Sequence, residues 1–323
     1  LDCLHRRKIN DDTIKEFHIG YNQEEDRLVI PIFRNDQPVY YCARSYNSKQ
    51  SKYKKAYLDD SSYLENILYG YGTLSRPNST LYVVEGVFDY LSLHQSGYCV
   101  LSNATGLSHK NASEIADIAK NFRKLVLCFD NDNAGNGFTN RLFPLLFKKN
   151  IVFDYISIPK NHNGIETKDV SDWYSSGFSL TELFSGTYSY DGINSYLKSE
   201  FKTYDSIVRY VVDNSPYMSM AIKNKVREFI EEEFKDEFSS DDKRMLSKAF
   251  TRSKTQDEYA KETIALFGDN NVLYSPSKGF YRFNGTYWES IHEAHIRKMI
   301  QSVNMKITQS DETAVLNKIK TYI

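Results

Sequence analysis

Three carboxylates stand at the ends of two apolar runs. Leu81-Tyr-Val-Val leads into Glu85-Gly86, and Leu125-Val-Leu-Cys-Phe leads into Asp130-Asn-Asp132. Short apolar runs rich in Val and Leu predict buried strands. In parallel α/β sheets the ligand site lies beyond the carboxyl ends of the strands. Glu85, Asp130 and Asp132 could therefore meet at one point. Hard carboxylate oxygens suit Mg2+ or Mn2+, which take few protein ligands and leave positions for water or phosphate. Ions so held clamp the attacking and leaving oxygens in phosphoryl transfer, so chemistry on a nucleotide or nucleic acid is expected. Taken singly, a Glu-Gly or an Asp-x-Asp after a strand is more often a turn or a helix cap.

The elements that must position these residues favour the combined reading. Between the two runs the pattern predicts a helix over 90–95 stopped by Gly97, a strand over 98–101, and a second helix over 111–122. Strand-helix-strand-helix-strand is the signature of a parallel sheet. A further strand is predicted over 151–158, followed by Lys168-Asp169-Val-Ser-Asp172-Trp-Tyr.

At this point the segment resembles the Toprim domain, the catalytic module shared by bacterial primases, topoisomerases and some nucleases. The likeness rests on VVEGVFD, CFDNDNAG and the later KDVSDWY. It implies a Rossmann-like parallel-sheet core. It also implies that Glu85 serves as general acid/base or metal ligand, that Asp130 and Asp132 bind the ions, and that Asp169 adds a metal contact. Asp89, one helical turn after Glu85, matches another carboxylate of the family. Its alternative role is a helix N-terminal acid favoured by the dipole.

The residues ahead of this segment choose among Toprim proteins. HRRKIN, FHIGY, DRLVIPIF, VYYCAR, KY and ILYG follow in the order of the N-terminal subdomain of DnaG-type primases. With this subdomain the resemblance spans residues 1–185. Between Arg44 and Lys55 stand Arg44, Lys49, Lys52, Lys54 and Lys55, without an acid and with Tyr46 and Tyr53 interleaved. Basic side chains neutralise phosphates, and aromatics stack on unpaired bases. A solvated basic loop with core tyrosines fits the same residues equally well. The resemblance implies that Arg27, Arg44 and Lys52 contact nucleotide or template, with Lys54, Lys55 and Tyr53 as further candidates.

Composition sets the outer limits. The 323 residues, 26% charged and 41% hydrophobic with a net charge of −1, describe an ordinary globular chain of two or three domains. Any nucleic-acid affinity must come from local patches rather than overall charge. No apolar run reaches the length of a membrane span, and no cleavable leader is recognisable. The chain opens on Leu, as expected of a fragment or processed form. Cys3, Cys42, Cys99 and Cys128 form no C-x-x-C pair. That suits a reducing cytoplasm and supplies no zinc ribbon of the kind that usually precedes the DnaG core.

Past residue 186 the organisation changes. Ser185–Gly192 reads as a linker, and 193–254 as amphipathic charged helices. Gly279-Phe-Tyr-Arg-Phe-Asn284-Gly285-Thr-Tyr-Trp288 reads as a β-hairpin turning on Asn-Gly, with a helix behind it from His292 to Val303. This resembles the domain preceding the superfamily-three helicase motor in phage, plasmid and poxvirus primase-helicases. No Walker A sequence occurs, so the motor that the resemblance implies is expected beyond Ile323.

The expected architecture is thus α/β. An N-terminal α+β subdomain (1–80) precedes a Toprim core (81–186), a helical connector (187–255) and a small α+β domain (256–323). The expected activity is Mg2+- or Mn2+-dependent synthesis of RNA primers from nucleoside triphosphates on single-stranded DNA, coupled to a helicase motor and membrane-free. A Toprim nuclease and a non-catalytic assembly module are the alternatives.

Overall fold

The computed structural model describes residues 2–34, 37–45, 53–57, 68–70, 74, 79–103, 109–251, 254–268, 271–303 and 307–323. The chain divides into two compact units, residues 1–207 with 218–238, and residues 208–217 with 239–323.

The first unit begins with two short helices, α1 (Asp2–Arg6) and α2 (Asp11–Glu16), the second capped by the Asn10 side chain. Four antiparallel strands follow in spatial order: β1 (Gly20–Asn22), β2 (Arg27–Arg34), β3 (Gln37–Ser45) and β4 (Tyr53–Tyr57). Along β2, Leu28, Ile30 and Ile32 are buried while Val29, Pro31 and Phe33 are not. This period of two turns one face of the strand to the core.

The central sheet is built from β5 (Thr80–Val84), α3 (Val87–Gln95), β6 (Cys99–Ser102), α4 (His109–Ala119), β7 (Lys124–Cys128), α5 (Asn133–Lys148) and β8 (Phe153–Ile156). Its order is β11-β8-β7-β5-β6. Strands β5 to β8 are parallel, and β11 (Ser189–Asp191) runs antiparallel along β8. From β5 the chain moves outward to β6, then crosses back so that β7 lies on the other side of β5. The topological switch point therefore falls between β5 and β7, where a crevice opens at the carboxyl ends of the strands.

Both faces of this sheet are covered. Val84, Val126, Cys128 and Ile156 share a core with Leu4, Ile9, Ile30 and Ile32 of the N-terminal elements. Leu81, Val83, Leu125 and Leu127 are equally buried, on the alternate positions. Each such side chain contributes about 1.5–3 kcal/mol on leaving water. The N-terminal subdomain and the central sheet are thus bonded through one continuous core. Tyr69 adds to it: its backbone pairs with Ser102 on the β6 edge, and its ring meets Tyr90 at 4.5 Å and Phe17 at 5.7 Å. Gly70, at φ +92°, leaves no space for a side chain against the Tyr90 ring.

A small hairpin, β9 (Asn161–His162) with β10 (Ile165–Glu166), leads into α6 (Val170–Ser175) and α7 (Leu180–Phe184). Trp173 of α6 is fully buried, packs on His162 at 4.5 Å, and donates its indole N–H to the Ser179 carbonyl at 3.0 Å. The stretch that its Gly and Ser content marks as a linker instead contributes β11 and the start of α8 (Gly192–Glu200). Tertiary pairing with an open sheet edge overrides the local turn preference there. α9 (Tyr204–Asn214) and α10 (Met220–Glu233) follow, and α10 packs on α8.

In the second unit α11 (Ser240–Thr251) and α12 (Gln256–Ala265) precede a three-stranded antiparallel sheet, β12 (Val272–Ser275), β13 (Gly279–Phe283) and β14 (Trp288–Ile291). Helices α13 (Glu293–Val303) and α14 (Gln309–Tyr322) complete a core of Ala260, Phe280, Ile296, Ile300, Val315, Leu316 and Ile319. The hairpin is present, but its turn is displaced by one residue. Phe283 pairs with Trp288, so Gly285 and Thr286 are the central residues rather than Asn284 and Gly285. The Asn284 side chain accepts the N–H groups of Thr286 and Tyr287, and Gly285 takes φ +98°. No helix among the described residues is long and apolar enough to cross a membrane.

Because β11 and the buried Ile193 and Leu197 of α8 lie beyond residue 186, a chain ending there loses part of its core. It should melt about 10 °C or more below a chain ending at residue 238. Thermal unfolding of the two fragments measures this, and equal melting temperatures would contradict it.

Candidate metal and nucleotide site

Glu85 follows β5 directly, and Asp130 follows β7 by one residue, Phe129. They flank the switch point. Asp132 is the N-cap of α5, accepting the N–H groups of Ala134 at 2.9 Å and Gly135 at 3.1 Å through Oδ1. Gly135 is required by close approach, since a Cβ there would lie 2.0 Å from the Asp130 carbonyl oxygen. Asp169 is the N-cap of α6 and accepts the Asp172 N–H at 2.7 Å. Asp89 is buried in the first turn of α3. One of its oxygens accepts the Gly86 N–H at 3.0 Å, and the other accepts the Ser171 N–H at 2.8 Å, tying α3 to α6.

These carboxylates form two overlapping groups. Glu85, Asp130 and Asp132 each offer one oxygen within 4.8 Å of the others, and so do Asp89, Asp130 and Asp169. Asp130 belongs to both. The electrostatics record the crowding. Loss of hydration, reinforced by Asp130 and Asp132, pushes Glu85 up to about 7. Burial and then Asp172 raise Asp169 to about 6. Burial first, then Asp169 and Asp130, hold Asp89 well above the usual carboxylate range. Asp130 and Asp132 share the Lys168 ammonium, 2.9 Å from each, yet shift in opposite directions. The side chain of Asp130 is 12% exposed and that of Asp132 36%. Dehydration therefore outweighs the ion pair at Asp130, and the ion pair wins at Asp132.

The residues fit a divalent cation. Oε2 of Glu85 is buried and has no hydrogen-bond partner among the described residues. Hard oxygens converge on two adjacent points, the donor set that Mg2+ or Mn2+ takes. Cations share the site with these acids. A cleft of about 310 Å³ is lined by Glu85, Asp130 and Asp169 together with Arg7, Arg44 and Tyr53, and Arg7 lies 4.0 Å from Asp172. The guanidinium of Arg7 bonds Ser171 Oγ at 2.8 Å and lies 4.7 Å from the Phe88 ring centre. That of Arg44 bonds the Tyr53 hydroxyl and sits 5.4 Å from the same ring.

The other residues singled out from sequence are placed differently. Arg27 is buried in β2, with Nη1 3.4 Å from the Ala43 carbonyl and Nε 3.7 Å from Glu25, and it does not line the cleft. Lys54 is exposed on β4 and paired with Glu25 at 2.6 Å. Lys52 and the side chain of Lys55 lie outside the described residues. Sequence reasoning assigned no role to Arg7, Lys168 or Asn131. Asn131 stands between the two aspartates. Its N–H donates to the Lys168 carbonyl, and its side-chain amide to the carbonyls of Ile158 and Thr167. The available signals were adjacency of Lys168 to Asp169 and the basic run Arg6-Arg7-Lys8.

The sequence and the fold resemble those of known proteins. Residues 82–173 match the Toprim-like family. The chain is 25% identical over 162 residues to an uncharacterized protein of Mycoplasma genitalium, covering 48% of this chain and 72% of that one. It is 27% identical over 177 residues to the DNA primase of Rickettsia prowazekii, covering 42% of this chain and 29% of that protein. The chain therefore spans less than a third of the length of this primase. Among solved structures, a DnaG primase catalytic domain bound to single-stranded DNA superimposes with a TM-score of 0.54 at 14% identity. That likeness covers 71% of this chain and 87% of that domain, and it is a likeness of fold. The chain carries a Toprim domain and is homologous to the catalytic core of DnaG-type primases.

Glu85 and Asp169 carry raised values of about 7 and about 6, so the sign of their pH dependence is determined. Unfolded carboxylates ionise near 4, so between about 4 and 7 the folded protein keeps protons that the unfolded chain has lost. Stability of the metal-free protein should fall as pH rises through this window. Mn2+ affinity should rise over the same window, because ligation needs the ionised form. Thermal melts and Mn2+ titrations at about pH 5 and about pH 8 measure both trends. Glu85→Gln should flatten the melting trend and weaken Mn2+ binding. Melting temperatures that are independent of pH in the parent protein would refute the assignment.

Proposed function

We propose that this chain is the catalytic part of a DNA primase, which joins ribonucleotides into short primers on a single-stranded DNA template. The observation that carries the reading is the pair of carboxylate groups sharing Asp130 in a cleft that Arg7 and Arg44 also line. Glu85, Asp130 and Asp132, with Asp169 and Asp89, would hold Mg2+ or Mn2+, which when bound neutralises the triphosphate and acidifies the attacking hydroxyl. Arg7 and Arg44, oriented by Ser171, Tyr53 and Phe88, bind phosphate in the same cleft. Where the ion is held by the aspartates alone, Glu85, which the metal-free site pushes up to about 7, is the candidate proton acceptor. Asp89 holds the first turns of α3 and α6 together and so sets the separation of Glu85 and Asp169. On the sequence resemblance, Lys52, Lys54, Lys55 and Arg27 are further candidate contacts to a single-stranded template.

The free state of all four cysteines suits a reducing cytoplasm. On sequence resemblance the reading extends to the second unit. The sequence likeness of its aromatic hairpin and following helix supports reading this as the primase half of a mobile-element primase-helicase, working beside a superfamily-three motor.

The deciding experiment incubates the full chain with single-stranded DNA, labelled ribonucleotides and Mg2+ or Mn2+. Short RNA is expected, and Asp130→Ala or Asp132→Ala should reduce it by about a thousandfold or more. Cut DNA would favour a Toprim nuclease, and neither product a non-catalytic assembly module. Lys52→Ala combined with Lys54→Ala should reduce the salt slope of single-stranded DNA binding by about 1–1.5. An unchanged slope would make the loop a solvated surface only.

A further inference from the structure

Lys168 is held in the carboxylate site by its backbone as well as by its head group. Its carbonyl accepts the Asn131 N–H at 3.1 Å. The amide of Asn131 fixes the preceding Thr167 carbonyl at 2.9 Å, and the following Asp169 caps α6. The main chain at Lys168 is thereby tied both to the Asp130–Asp132 turn and to α6. Its side chain is 48% exposed, and the ammonium lies 2.9 Å from Asp130 Oδ2 and 2.9 Å from Asp132 Oδ2. The result is a fixed anchor carrying a flexible stem and a compact charge.

An ammonium and a divalent ion cannot share those two oxygens, because like charges at contact repel strongly in a partly dehydrated site. An ion that takes these same oxygens from Asp130 and Asp132 would therefore expel the Lys168 head group. The anchored stem keeps the released charge beside the site, in the cleft that Arg7 and Arg44 also line.

We propose that Lys168 is an exchangeable internal cation, which pairs with Asp130 and Asp132 until a divalent metal takes them and then turns its ammonium to the phosphates of the bound nucleoside triphosphate. This rests on the metal-site reading above. It makes metal and nucleotide binding cooperative. Lys168 opposes the metal when nucleotide is absent and rewards the pair when both are present, a reciprocal coupling.

The test uses the full chain and its Lys168→Met and Lys168→Arg variants. Mn2+ binding is followed by electron paramagnetic resonance of the free ion, with and without a nucleoside triphosphate whose α–β bridge is methylene. Without nucleotide, Lys168→Met should bind Mn2+ about tenfold more tightly than the parent. At saturating Mn2+ it should bind the analogue about tenfold more weakly. Lys168→Arg should retain most of the coupling. A larger Mn2+-induced rise in melting temperature for Lys168→Met gives an independent check, since its metal-free site carries uncompensated charge. Unchanged or weaker Mn2+ binding by Lys168→Met would overturn the competition. Tighter Mn2+ with unchanged analogue affinity would overturn the transfer to phosphate. Absence of Mn2+ binding by the parent protein would overturn the metal reading, and this proposal with it.

Discussion

Dehydration of clustered carboxylates, reinforced by their mutual repulsion, is the constraint around which the first unit is arranged. Glu85, Asp89, Asp130 and Asp169 lose hydration without gaining full compensation, and each is raised above its ordinary range. Such a group of charges costs folding free energy. The cost is met in several ways. Lys168 neutralises one side, backbone N–H groups at Gly86, Ser171, Ala134 and Gly135 neutralise others, and a continuous apolar core holds the strand ends where they are.

The helix termini have a structural part in this. Asp132 and Asp169 cap α5 and α6, so the same side chains that face the cleft also satisfy backbone donors left over at helix starts. Asp89 links two helices by giving one oxygen to each. Carboxylates so engaged have little rotamer freedom, and the geometry of the site is largely set before any ligand arrives.

The N-terminal sheet earns its place through packing. Ile30, Ile32 and Tyr40 share a core with Val84, Phe88 and Tyr90. That contact brings Arg44 and Tyr53 into the cleft lined by Glu85 and Asp130, while α1 ends beside Arg7. A lone Toprim sheet would present carboxylates to solvent. The added elements place them in a cleft that also holds guanidinium groups, which suits phosphate-bearing ligands.

The sequence by itself determined the strands of the central sheet, the acids that end them and the aromatic hairpin near the C-terminus. Apolar runs such as Leu125–Cys128 encode burial locally, and glycines such as Gly135 mark close approach locally. Only the tertiary structure decided which charges meet. Arg27 and Arg44 lie on adjacent strands of similar composition, yet one is sealed against Ala43 and the other opens on the cleft. Lys168 and Asp130 are 38 residues apart, and Asn131, unremarked in the sequence, joins them. The strand β11 arises in a stretch whose local chemistry says turn, because an open edge of β8 was waiting to be paired. Residue type and spacing set what each segment can form alone. Burial, ion pairing and the resulting shifts in charge state depend on neighbours brought in from distant parts of the chain, and no local pattern records them.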